Sequence, residues 1–130
     1  MRYFISCLAV LVFILPNTVY AHEMVPAYPR LEPAFVEGVI KADLTLFNRR
    51  IDVDFYQITV FDKEWKPMPF ATETNIMPLE YLSRKKFTVY LREEDMDKAG
   101  WVCTRSKILK GEGPAVVSSR ICSKFIIGEP

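Results

Sequence analysis

Apolar and polar residues alternate in short runs along this chain, and no segment sustains a 3.6-residue period. Ile40, Ala42, Leu44 and Leu46 alternate with Lys41, Asp43 and Thr45, the pattern of a strand with one buried face. Phe87, Val89 and Leu91 alternate with Thr88, Tyr90 and Arg92 in the same way. Tyr56, Ile58 and Val60 form a third run, but Val53 and Phe55 ahead of it have the opposite parity. That switch predicts a bulge or a strand that changes face. Asn48, Arg49 and Arg50 read as a turn. Pro67 and Pro69 bracket Met68 and cannot donate to a ladder, which places them at an edge or in a connection. The charged stretch from Glu93 to Ala99 predicts one helical turn, ended by Gly100 ahead of a strand beginning at Trp101. Gly111 to Pro114 is a tight turn into a last strand, Ala115 to Ile127. About seven short strands with turns between them predict an all-β, antiparallel sandwich.

The first 21 residues stand apart from this pattern. Arg2 gives a positive start, Ile5 to Leu15 is an apolar run, Pro16 and Asn17 break it, and Val19-Tyr20-Ala21 resembles a small-residue cleavage site. This is the layout of a secretory signal peptide, and its apolar run is short for a bilayer span, which takes about 20 residues. The expected division is a signal peptide at 1–21 and one domain at 22–130. Cleavage removes Cys7 and leaves Cys103 and Cys122 in a chain sent to an oxidising compartment, where such a pair reads as a disulfide. On the chain-entropy model that cross-link is worth about 3 kcal/mol. A metal site built on the two thiols lacks further ligands, since the single His lies at the far end of the domain.

Composition narrows the function. Half of the residues are hydrophobic and 13% are aromatic, too apolar for a disordered chain. A net charge of +1 supplies no general drive toward nucleic acid. Glu93, Glu94, Asp95 and Asp97 form an acidic group without a nucleophile or cofactor motif beside it, and read as a solvated face. The sequence has neither a phosphate-binding glycine loop nor a serine nucleophile elbow. The reading is therefore a binding protein, not an enzyme, with no cofactor and no metal. One copper-carrier alternative ranks third: His22 would be the mature N-terminus, with Glu23 or Met24 beside it as ligands.

The later part of the chain carries a resemblance. Trp101, Cys103 and Ser106 resemble the sixth strand of the N-terminal immunoglobulin-like domain of periplasmic pilus-assembly chaperones, and Ser119, Arg120, Ile121, Cys122 and Lys124 resemble its seventh. Phe87 to Arg92 is similar to the strand before these, and Leu44, Leu46 and Asn48 to its second strand and turn. Arg30 falls near the arginine of the family's first strand. The likeness covers about residues 28–128 and is carried most specifically by the cysteine pair, which resembles the subfamily with a disulfide across its last hairpin. The resemblance implies an immunoglobulin-like sandwich, here as a single domain. It also implies a periplasmic protein of fimbrium biogenesis that lends its last strand to a partner subunit by β-augmentation. By position, Arg30 and Lys124 are the basic pair that anchors a partner's terminal carboxylate. In an alternative alignment Cys122 takes the lysine position, and Arg120 or Lys124 substitutes. Ala115 and Val117 are the donor side chains. The expected partner is a protein with an incomplete β-edge, not nucleic acid, with no membrane span after signal cleavage and self-association through the last strand as another way to cover that edge. The runner-up is a structural or adaptor module that donates no strand.

Overall fold

The computed structural model describes residues 22–108 and 118–127. The expected signal peptide at 1–21 lies outside the described residues, as do the expected turn at 111–114 and the expected donor positions Ala115 and Val117. Eight strands and one 3-10 turn follow in order: β1 (Glu23–Val25), β2 (Glu32–Pro33), β3 (Val39–Phe47), β4 (Phe55–Asp62), β5 (Ile76–Pro78), β6 (Arg84–Arg92), the turn Glu93–Asp95, β7 (Ala99–Lys107) and β8 (Arg120–Lys124). They form an immunoglobulin-like antiparallel β-sandwich, with eight strands where about seven were expected.

In the first sheet β3 is central. It pairs with β6 along its whole length, from Val39 opposite Arg92 to Phe47 opposite Arg84, and on its other side with β1 and β2. The second sheet runs in the order β5, β4, β7, β8. The alternating residues named above meet between the sheets: Ile40, Ala42, Leu44 and Leu46 pack with Tyr56, Ile58, Val60, Phe87, Val89, Leu91 and Val102 in one apolar core. Each fully buried aliphatic side chain there is worth about 1.5–3 kcal/mol, so the period-2 pattern sets which face turns inward.

The parity switch before Tyr56 has a different cause from the one expected. Val53 is buried but precedes β4 in a loop, and β4 itself alternates regularly from Phe55. The register shift falls at its other end, between Phe61 and Asp62. There Gly100 lies against the Asp62 carbonyl, which a Cβ at that position would meet at 2.5 Å. A side chain is excluded by the approach of two backbones.

Asn48 organises one end of the sandwich. It is fully buried, and its Nδ2 donates to the carbonyls of Val53 (2.6 Å) and Leu79 (2.9 Å). Its Oδ1 accepts from the Arg50 amide (2.9 Å) and the Tyr56 hydroxyl (2.6 Å). With four bonds the amide is saturated, and the loops before β4 and after β5 are tied to the end of β3.

The first strand changes sheets. β1 lies on β3, but past the cis Val25–Pro26 peptide the chain crosses to β8. There the amides of Lys124 and Ile126 donate to the carbonyls of Ala27 (3.1 Å) and Pro29 (3.0 Å), and the Leu31 amide donates to the Ile126 carbonyl (3.1 Å). Arg30 faces Ile126 in parallel register. β2 then returns to β3.

Candidate partner-binding site

The last strand sits at the edge of the second sheet, with β7 on one side. Its backbone groups alternate in direction. Ser119 accepts from the Ser106 amide (2.9 Å), and the Phe125 amide donates to the Gly100 carbonyl (2.9 Å), so odd-numbered positions face β7. Even-numbered positions face outward, as the bonds of Lys124 and Ile126 to the crossing segment show. Arg120 and Cys122 share that direction. Among the described residues their amides and carbonyls have no backbone partner on the outward side. The open edge of β8 therefore spans Arg120 to Cys122 and stops where Ala27 takes the amide of Lys124.

Cys103 and Cys122 are directly opposed in the β7–β8 register and are bonded, with Cα atoms 4.1 Å apart. The disulfide holds the edge strand to the sheet from the outer face, beside the open groups.

That outer face has a composition of its own. The outward residues are Phe55 to Phe61 at alternate positions on β4, then Trp101, Cys103, Arg105 and Lys107 on β7, and Arg120, Cys122 and Lys124 on β8. Four cations stand among them without one carboxylate. Residues 22–130 as a whole are balanced, with 16 basic and 16 acidic residues, so charge is segregated onto this sheet face. Arg30, paired with Ile126, points to the same side. The structure thus brings Arg30, Lys124 and Arg120 onto one face, with Arg30 on the segment next to β8.

An aromatic cluster lies on the same face. Trp65 stacks on Trp101 with centroids 3.9 Å apart and planes 10° from parallel, and Phe61 is 5.9 Å from Trp65. The Arg120 guanidinium lies 5.3 Å from the Phe61 ring centre and 5.4 Å from that of Trp65. Its side chain therefore runs from the Arg105 row to the Phe61 row, across the row of the disulfide. Trp65 has φ 63°, a left-handed conformation that costs a residue with a Cβ about 1–2 kcal/mol. Asp62 Oδ1, accepting from the amides of Glu64 (2.8 Å) and Lys66 (2.9 Å), holds this turn.

His22 is placed differently from the copper-carrier expectation. Its ring is buried, 4.5 Å from that of Tyr56. Nε2 bonds the Thr104 hydroxyl (2.9 Å) and carbonyl (3.2 Å), and Nδ1 the Ser119 hydroxyl (3.0 Å). Both ring nitrogens are engaged inside the sandwich, while Glu23 is exposed and Met24 points into the core. Burial pushes the imidazole down to about 4, against the Thr104 carbonyl and with a smaller push from Arg50. Arg50 is itself buried, and its fork is held by Asp52 at 3.0 and 2.6 Å. Arg50 also approaches the hydroxyls of Ser106 and Ser119 at 3.4 Å. Among the described residues no group of three or more metal-ligating side chains is gathered, and no helix is long and apolar enough to cross a membrane.

Sequence reasoning reached Arg120, Lys124 and Arg30, and named Trp101 only as a strand residue, but passed over Trp65 and the carboxylate-free face. The alternation of Arg105 with Lys107 and of Arg120 with Lys124 was the available signal. No family model matches this chain, and no curated protein matches it.

Proposed function

We propose that this is an exported binding protein, chaperone-like in action, that captures a partner by adding the partner's strand to the open edge of β8. The observation that carries this reading is the outward-facing backbone of Arg120 and Cys122, without a backbone partner among the described residues, on a strand pinned by a disulfide. Main-chain bonds along such an edge give affinity, and the flanking side chains give selection. An edge of this kind is an association hazard unless something covers it. The resemblance to the pilus-chaperone domain points the same way. Under it the signal peptide delivers the chain to the periplasm, Arg30 and Lys124 flank the captured segment, and Ala115 and Val117 extend the donor strand.

A second reading, an adaptor module that donates no strand, is favoured by one observation. The chain's own segment Ala27 to Leu31 already occupies β8 from Lys124 onward and shortens the edge on offer.

Arg120→Pro separates the two. The Arg120 amide points away from β7, so proline there removes an outward donor and leaves the β7 ladder intact. With mature protein as bait against an exported-protein fraction, strand addition predicts that the captured proteins are lost with Arg120→Pro and kept with Glu37→Ala, in the exposed turn between β2 and β3. Equal capture by both variants, each shown folded by thermal unfolding, supports the adaptor.

A further inference from the structure

We infer that the segment taken up by β8 is acidic on its outward face, with a carboxylate opposite Cys122. This deepens the strand-addition reading and rests on it. A strand added to β8 places side chains beside those of β8 on the same face, with direct neighbours about 5 Å apart and diagonal neighbours about 7–8 Å apart. A residue opposite Cys122 is diagonal to Arg120 on one side and Lys124 on the other, both exposed. The Lys124 side chain is long enough to cover that diagonal distance, while that of Arg120 crosses the disulfide row toward Phe61, so its guanidinium is met over Cys122 rather than beside Arg120. The next strand inward adds Arg105 and Lys107, and no carboxylate on these strands offsets them. The site is thus a gap between two cations on a face with four.

The aromatic cluster prepares one of these cations. The guanidinium of Arg120 rests near the Phe61 and Trp65 rings. A guanidinium near aromatic rings keeps N–H donors for a carboxylate, and its planar fork suits two parallel bonds where an ammonium gives a point charge. The strained Trp65 turn fixes the ring over which Arg120 lies. Local strain of this kind persists where the surroundings over-determine it, and it clusters at binding sites. A basic residue opposite Cys122 would meet two like charges, so the same pair that favours an acidic strand rejects a basic one. Three of the four cations, Arg105, Arg120 and Lys124, are solvent-exposed, and the preference weakens as salt screens them.

The test uses protein 22–130 with its disulfide intact and three synthetic peptides that alternate valine with glutamate, glutamine or lysine. The glutamate peptide is expected to bind about tenfold or more tighter than the lysine peptide. That margin should shrink as salt rises from about 0.05 to about 0.5 M, and it should reverse in the Arg120→Glu/Lys124→Glu double variant. Arg120→Gln/Lys124→Gln is the milder variant, expected to erase the preference without reversing it, and thermal unfolding checks both. Equal binding of the three peptides, abolished by Arg120→Pro, overturns the acidic preference and leaves strand addition standing. A glutamate preference that survives Arg120→Pro, or survives methylation of the peptide's backbone nitrogens, overturns strand addition and the present inference with it. Absence of binding by all three peptides overturns both.

Discussion

The amide of Lys124 donates to the carbonyl of Ala27 at 3.1 Å, and this bond marks the boundary between covered and open edge on the last strand. On one side of it the chain's own first segment occupies β8. On the other side, Arg120 and Cys122 keep their outward backbone groups, and the disulfide to Cys103 holds them in register. For a strand added at such an edge, a one-residue slip would exchange its two faces, so register is favoured where one face is charged and the other apolar.

The disulfide should contribute measurably to this arrangement. Replacing Cys103 and Cys122 together by alanine is expected to cost about 2–4 kcal/mol, read as a lower denaturant midpoint. A digest of unreduced protein should contain one linked peptide pair joining these residues, and two free thiols in exported material would contradict it.

Asn48 gives a sharper stability test. Asn48→Ala leaves the buried carbonyls of Val53 and Leu79 and the Tyr56 hydroxyl without this partner, and should cost about 3 kcal/mol. Tyr56→Phe removes one bond while Asn48 keeps the Arg50 amide, so about 1 kcal/mol is expected. Chemical denaturation of the two variants checks the order. Equal costs would show that the Asn48 network does not act as a unit.

His22 sets a pH dependence. Its folded value, near 4, lies below the ordinary 6.5 because burial penalises the charged ring. Between these values the unfolded chain binds a proton that the folded chain does not. Its contribution is therefore complete above about pH 6.5 and is lost as pH falls toward 4. The loss is of the order of 2–3 kcal/mol. Thermal unfolding from pH 7 to pH 4 should show this slope in the native protein and a flatter one in His22→Gln. An identical slope in both would place the acid sensitivity elsewhere.

At Trp65 the ordinary ranking of substitutions should invert. Glycine adopts φ near 63° without strain and alanine does not, while both lose the stack on Trp101. Trp65→Gly is therefore expected to be more stable than Trp65→Ala by about 1 kcal/mol, measured as a difference in denaturant midpoint. The opposite order would mean that the turn relaxes once the ring is gone.

Much of the sandwich was legible because β3 and β6 are buried on one face only, so Ile40 to Leu46 and Phe87 to Leu91 show their period openly. Val53 misled because a buried loop residue looks like a strand residue when only parity is read. The split first strand was not legible at all. Residues 23–33 carry no alternation, and their path depends on pairing with Ile126 at the other end of the chain. His22 read as a free N-terminal ligand because nothing local announces the hydroxyls of Thr104 and Ser119 that it bonds inside the sandwich. The basic pair Arg30 and Lys124 came from resemblance. Its neighbourhood of Arg105, Trp65 and Trp101 emerges only when β7 and β8 are laid side by side.

Residue-resolved amide hydrogen exchange on β8, with and without the glutamate–valine peptide, tests the open edge most directly. In the free protein the amides of Arg120 and Cys122 should exchange faster than those of Ile121 and Ser123, which face β7. On binding, Arg120 and Cys122 should slow by about tenfold or more while Ile121 and Ser123 change little, because only the outward groups gain partners. Protection that appears instead on β5 or β2, or uniformly along β8, would contradict capture at this edge.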